Sequence, residues 1–172
     1  MTGQIHNEGN TDAPFGLGFH PYFSCGTDSD EDVKIRIPAS LQYLLDEAGF
    51  PVGASRHTEM CDKLREGMEL SEIPSVPDHS LFKLNEGANE FEIMMLQQGY
   101  VINYSIDPVF PFMVVFKPAW MNAISLEPYT CATDAFNLPL PEEDTGAKAI
   151  RAGETLDFKW EIRLSKGEGW NE

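Results

Sequence analysis

The chain has 172 residues, with 12 Lys and Arg against 28 Asp and Glu and a formal net charge of -16. The acidic residues are spread along the whole length and no Lys/Arg cluster breaks them, so nucleic acid and anionic membrane surfaces are set aside as partners. Hydrophobic residues at 42% and aromatic residues at 11% exclude a disordered chain and suffice for one domain, 1–172, around a sizeable core.

In chain order, the start MTGQIHNEGNTDAP is polar and lacks both the basic and the apolar regions of a secretory signal. Cys25, Cys61 and Cys131 are odd in number and far apart, which suggests neither a disulfide framework nor a zinc knuckle. Together these point to a reducing, cytoplasmic setting. Asp28 to Asp32 reads as a solvated acidic loop, without the spacing or the closing Glu of a calcium loop. Val33 to Ile37 alternates apolar and charged side chains as a half-buried strand does, and Pro38 ends it. Glu59 to Glu66, with Met60, Cys61 and Leu64 on one side, is the single helical signal.

Further strands are expected at Phe91 to Leu96 and Tyr100 to Ile106, joined by a Gln97-Gln98-Gly99 hairpin turn, then at Phe112 to Phe116 and Ala123 to Leu126. The match of Asn103-Tyr104-Ser105 to a glycosylation acceptor falls inside one of these strands and is read as chance. The last strand, Leu156 to Leu164, sets Leu156, Phe158, Trp160, Ile162 and Leu164 on one face against Asp157, Lys159, Glu161 and Arg163 on the other. The longest apolar runs are far below the roughly 20 residues of a membrane-spanning helix. Short strands punctuated by Gly and Pro make the chain all-β, an antiparallel sandwich without repeats or a linker.

Chemistry rests on four histidines and a few carboxylates. His6 and His57 lie in polar stretches and read as surface residues. His20 stands between Gly16, Gly18 and Phe19 on one side and Pro21, Tyr22 and Phe23 on the other. Gly16 and Gly18 permit close backbone approach, and Pro21 holds His20 extended. Such an imidazole is either a packed core histidine or a general acid near neutral pH. Glu127 ends an apolar strand immediately before Pro128, so it is either a wet lip residue or a base in a cleft, where burial would strengthen it as a proton acceptor. Asp78, after Pro77, has the composition of a simple turn.

Three stretches, PFGLGFHPYF at 14–23, PDHSLF at 77–82 and SLEPYTCATDAFN at 125–137, resemble in order and separation the C-terminal half of the aldose 1-epimerase (galactose mutarotase) family. The resemblance extends over nearly the whole chain. It implies a galactose mutarotase-like antiparallel β-sandwich, or supersandwich, incomplete at the N-terminus, and a cofactor-free interconversion of the α and β anomers of an aldose. By motif match, His20 takes the place of the proton donor to the ring oxygen and Glu127 that of the base at the anomeric hydroxyl. Asp78 matches a carboxylate that binds sugar hydroxyls, and Tyr22 and Phe136 are candidates for the apolar lining. The family's N-terminal half brings an arginine and a further histidine that have no counterpart here, and Val114 stands where many members carry a glutamine.

These departures leave a non-catalytic carbohydrate-binding domain as the alternative function. An incomplete sandwich also favours homo-oligomers through an open edge. His20, His79 and Glu127 would make a two-His-one-carboxylate metal set, but no ordered ligand spacing supports it, and no metal is expected. The negative charge favours a neutral sugar over a phosphorylated one, which would want Arg or Lys at the phosphate.

Overall fold

The computed structural model describes residues 1–75, 80–87 and 90–167. Its strands are β1 (Thr2–His6), β2 (Ala13–Phe15), β3 (Tyr22–Ser24), β4 (Val33–Arg36), β5 (Ala39–Tyr43), β6 (Met68–Glu69) and β7 (Ser80–Leu84). They continue as β8 (Glu90–Met95), β9 (Tyr100–Ile106), β10 (Phe112–Phe116), β11 (Ala123–Tyr129), β12 (Lys148–Ile150) and β13 (Thr155–Lys166). Helix α1 (Glu59–Glu66) lies between β5 and β6, and a single turn, α2 (Glu142–Thr145), precedes β12. Among the described residues no helix is long and apolar enough to cross a membrane.

The strands form a six-stranded sheet in the order β1-β13-β9-β8-β4-β6, a five-stranded sheet in the order β3-β11-β10-β7-β5, and the pair β12-β2. Each paired neighbour runs antiparallel; β8–β9 and β10–β11 are joined by short connections, whereas β1–β13, β2–β12 and β3–β11 bring together segments far apart in the chain. The period-2 alternation decides which side chains meet. Ile35, Ile93, Tyr104 and Ile106 from the first sheet pack with Phe82, Met113, Val115, Ile124 and Leu126 from the second in one core. Each such side chain contributes about 1.5–3 kcal/mol on full burial.

The five-stranded sheet is apolar on its other face too. There Leu81, Phe112, Val114 and Tyr43 form a second cluster with Ala132. That is why β10 reads as a continuous apolar run rather than an alternating one. Burial on both faces excludes water from the middle of this sheet, and the polar side chains it carries on the second face are therefore conspicuous.

The sequence-based elements recur with their bounds little changed. Helix α1 buries Cys61 and Leu64, carries Glu59 and Asp62 in its first turn and Lys63 and Arg65 in its last, and ends where the Gly67 N–H bonds the Lys63 carbonyl. The turn between β8 and β9 needs Gly99 at a φ of +70°, with its N–H on the Met95 carbonyl at 2.9 Å.

Two expectations change. The apolar stripe of β13 is covered only as far as Trp160: Ile162 is 43% and Leu164 70% exposed. The physical reason is what covers the face: Phe158 and Trp160 pack against the main core, whereas Ile162 and Leu164, further along the same face, lie beyond that cluster. The acidic loop is a packed corner rather than a solvated one. Asp28 is buried, and its carboxylate accepts from the Gln97 backbone N–H at 3.3 Å and from Gln98 Nε2 at 3.0 Å, while Asp30 pairs with Lys117 at 2.6 Å.

Candidate active site

The second face of the five-stranded sheet is where polar side chains meet. On β11 the face alternates Ser125, Glu127 and Tyr129; opposite them on β10 stand Phe116, Val114 and Phe112. On the other side of β11, Tyr22 of β3 pairs with Ser125, and Gly18 bridges Tyr129. His20 is midway between Gly18 and Tyr22, so the same antiparallel register brings it opposite Glu127. Pro128 lacks the N–H that a regular ladder would use here; its carbonyl accepts from the Phe19 N–H at 3.2 Å instead.

The glycines set the approach. A Cβ on Gly18 would stand 2.6 Å from the Tyr129 ring, and one on Gly16 would stand 3.2 Å from Cys131 Sγ. The chain entering His20 can therefore lie against β11 only without side chains at these positions. Reciprocal bonds fix it there, from the Leu17 N–H to Thr130 Oγ1 and from the Thr130 N–H to the Leu17 carbonyl, both at 2.9 Å.

His20 Nδ1 lies 2.7 Å from Ser125 Oγ and 3.0 Å from Glu127 Oε1. Ser125 donates its own proton to the Pro21 carbonyl at 2.9 Å. Its oxygen must then receive, and so must a carboxylate, which assigns a proton to Nδ1. The second proton of a charged imidazole consequently sits on Nε2, the nitrogen 3.4 Å from the Tyr22 hydroxyl. Glu127 is 4% exposed, whereas half of the His20 side chain is open to solvent. The Tyr129 hydroxyl donates to Glu127 Oε2 at 3.1 Å. Burial first, and then the Glu127 charge and the hydrogen bond to it, push the Tyr129 phenol up to about 12, so it stays a donor throughout the neutral range. Burial likewise raises the Cys131 thiol, which leaves it protonated and a poor nucleophile.

These groups open into a cleft of about 590 Å³, within the range of small-molecule sites. Val114 and Phe116 form an apolar wall, Gly18 and His20 another, and Ala48 and Gly49, from the turn after β5, a third. Among the described residues lining it, none is Lys or Arg. The cleft thus combines one proton acceptor shielded from water, one proton donor facing solvent, and apolar surface beside both.

Of the residues singled out in the sequence, His20, Glu127 and Tyr22 are brought together: the Tyr22 ring stacks on the imidazole at 4.7 Å and 24°. Phe136 stands elsewhere, 52% exposed on the turn after β11 and outside the cleft lining. Asp78 and His79 lie outside the described residues. His6 and His57 are at the surface, bonded to Thr155 Oγ1 at 2.9 Å and to Asp62 Oδ1 at 3.1 Å. Ser125 and Tyr129 were not singled out, although the period-2 rule around Glu127 puts both on its face. Gly49 reaches the cleft through the turn of the chain, with no local signal for it.

The chain matches the family model for aldose 1-epimerase over residues 1–163. It is 26% identical over 172 residues to the uncharacterized protein YphB of Escherichia coli K12, covering 95% of this chain and 55% of that protein. With the uncharacterized protein YihR of the same organism it shares 25% over 131 residues, 76% of this chain and 42% of that one. Its fold is similar to a galactose mutarotase-like protein of Clostridium acetobutylicum, with a TM-score of 0.81 and 18% identity over 96% of this chain and 52% of the other. It is also similar to the GalM/aldose epimerase homologue of C. elegans, with a TM-score of 0.76 and 15% identity over 97% and 56%. The chain thus spans about half the length of the relatives it matches, and its fold is galactose mutarotase-like and antiparallel β. By its sequence match over nearly its whole length, the chain belongs to the aldose 1-epimerase family.

Proposed function

We propose that this chain carries the acid/base pair of a mutarotase that interconverts the α and β anomers of an aldose. The observation that carries the reading is the juxtaposition, in one cleft, of a nearly inaccessible carboxylate and a half-exposed imidazole 3.0 Å apart. Glu127 removes the proton from the anomeric hydroxyl while His20 Nε2–H protonates the ring oxygen. The C1–O5 bond breaks, C1 becomes a carbonyl, and rotation about C1–C2 presents its other face. The same two groups then work in reverse to close the other anomer.

Each such group typically contributes about 10²- to 10⁴-fold in rate. In this geometry the transfer turns an imidazolium-carboxylate pair into a neutral imidazole and a carboxylic acid, so the pair carries no net charge before or after. A buried site tolerates that exchange better than one that creates an isolated ion. With no Lys or Arg among the described lining residues, the cleft favours a neutral aldose over a phosphorylated one, and the chemistry requires no cofactor.

Polarimetry on freshly dissolved α-glucose and α-galactose tests the proposal. Equilibration faster than in buffer is expected, falling by about 10²-fold or more in His20→Ala and in Glu127→Gln. No acceleration, or acceleration that survives both substitutions, overturns it. The apolar walls of the cleft and the Tyr22 ring stacked on His20 would equally serve a second reading, a sugar-binding domain without turnover. Calorimetric binding of the same sugars with no mutarotation would establish that reading instead, and clear turnover would exclude it.

A further inference from the structure

Strand β13 changes partner along its length. On one side β1 pairs it over residues 155–159, and next to them Met1 exchanges bonds with Trp160, its N-terminal amine on the Trp160 carbonyl at 2.6 Å and its carbonyl on the Trp160 N–H at 3.0 Å. On the other side β9 follows from Trp160 to Lys166 without a break in register. Backbone groups alternate between the two sides of an extended chain. The Lys159 carbonyl accepts from the Asp107 N–H at 2.8 Å and the Gly167 N–H donates to the Gly99 carbonyl at 3.0 Å, both on the β9 side. Odd-numbered residues therefore face β9. The N–H and C=O of Ile162, Leu164 and Lys166 point to the side that β1 has left, where no strand stands among the described residues.

This edge holds no proline and no bulge, the devices of shape that blunt a free strand. The side chains of Ile162 and Leu164 are exposed on one face, where Leu164 stands opposite the half-buried Ile102 of β9. Its charge has the opposite sign to that of the chain. Residues 159–166 carry Lys159, Arg163 and Lys166 against Glu161 alone, whereas the whole chain carries -16. Glu161 is shared between Arg163 at 2.6 Å and Lys159 at 3.4 Å, so one carboxylate serves two cations, and Lys166 has no ion pair among the described residues.

We propose that residues 161–167 of this edge dock an extended, acidic strand of another polypeptide, laid antiparallel to β13 in line with β1. Its backbone takes the free groups of Ile162, Leu164 and Lys166. Alternate side chains are apolar beside Ile162 and Leu164 and carboxylates on the opposite face, across from Arg163. Charge decides between this occupant and a second copy of the chain. Two copies of β13 related by a two-fold axis at Leu164 would match hydrogen bonds equally well, but would set Arg163 of one diagonally beside Arg163 of the other, and like charges across a strand pair are destabilising. An acidic strand turns the same position into a cross-strand ion pair. Charge more than about 8 Å away is largely screened at physiological salt, so the local cations and not the net charge of the chain set the preference.

The test is an amide NMR titration of the chain with the blocked heptapeptides TVEVEVT and TVKVKVT. The acidic peptide should shift the amides of Ile162, Leu164 and Lys166 and bind about tenfold more tightly than its lysine counterpart. The double variant Arg163→Glu with Lys166→Glu should reverse that order. Leu164→Pro removes an N–H that β9 does not use, so it should abolish binding and leave the amide signals of β9 in place. No shift at these amides, or equal affinity for the two peptides in the wild type, overturns the proposal. So do amides of Ile162, Leu164 and Lys166 that change on dilution of the chain alone, which would make a second copy the occupant. Protection of the same three amides from hydrogen exchange in the free monomer also overturns it, because the edge would then be taken within the chain.

Discussion

Replacing Tyr129 by Phe deletes one oxygen and keeps the ring that Gly18 lies against. The lost contact is the 3.1 Å hydrogen bond from the hydroxyl to Glu127 Oε2. A hydrogen bond to a charged group is worth about 1.5–3 kcal/mol, and Glu127, at 4% exposure, has little water to replace it. The bond favours the charged carboxylate over the protonated acid, so its loss makes Glu127 easier to protonate. At 1.36 kcal/mol per pH unit, a loss at the lower end of that range moves the acid limb of kcat/KM upward by about one unit. The direction follows from the role: the proposed base works only when deprotonated, and an enzyme that protonates earlier on acidification loses activity at higher pH. The assay is polarimetric kcat/KM on α-glucose across the acid range, for the wild type and Tyr129→Phe at matched ionic strength. A limb that stays in place, or one that moves to lower pH, refutes the assignment of Glu127 as the base held by Tyr129. A uniform loss at every pH with the limb unmoved would show Tyr129 to be only a packing residue.

Other outcomes follow from the same contacts. Ser125→Ala removes the oxygen 2.7 Å from His20 Nδ1 and its link to Pro21, so kcat should fall by about tenfold, with KM little changed, as the acid loses its orientation. Gly18→Ala puts a methyl 2.6 Å from the Tyr129 ring, an overpacking that should cost about 1–3 kcal/mol in chemical denaturation and lower mutarotation as well, because the displaced ring carries the Glu127 contact. In alkali the unfolded chain releases its tyrosine protons near pH 10, whereas burial raises Tyr43 and Tyr104 and holds Tyr129 near 12. The unfolded state then binds fewer protons, so stability present below about pH 10 should be lost as the pH rises towards 12, and melting temperatures in Tyr129→Phe should fall less steeply over that window.

Where one local rule decided the structure, the sequence was readable. The run Tyr100 to Ile106 and the helix Glu59–Glu66 have the observed limits because an alternation and an amphipathic octet are each self-contained signals. The short strands β2, β3 and β12 were missed because three residues carry no periodicity; they exist through partners such as Ile124 and Ser125, which lie a hundred residues away. The β13 stripe shows the opposite failure. A nine-residue alternation forecasts which face is apolar, but whether another element covers it is a fact of topology, and at Leu164 it is left exposed.

At the site, residue types and motif order selected His20 and Glu127, while the reason for their encounter is three-dimensional. Two glycines allow the segment before His20 to touch β11, and the antiparallel register between Gly18 with Tyr129 and Tyr22 with Ser125 leaves His20 and Glu127 facing each other. The overall charge of -16 sharpens what that pair can do. In so acidic a chain, a carboxylate out of contact with water needs local compensation, and the imidazole and the phenol supply it at 3.0 and 3.1 Å. Protein charge elsewhere is screened by solvent over about 10 Å. In the proposed reaction the cleft therefore offers its ligand a proton donor on one side, a proton acceptor on the other and a compensated pair of charges, as an uncharged hemiacetal gaining a proton at one oxygen and losing one at another would need.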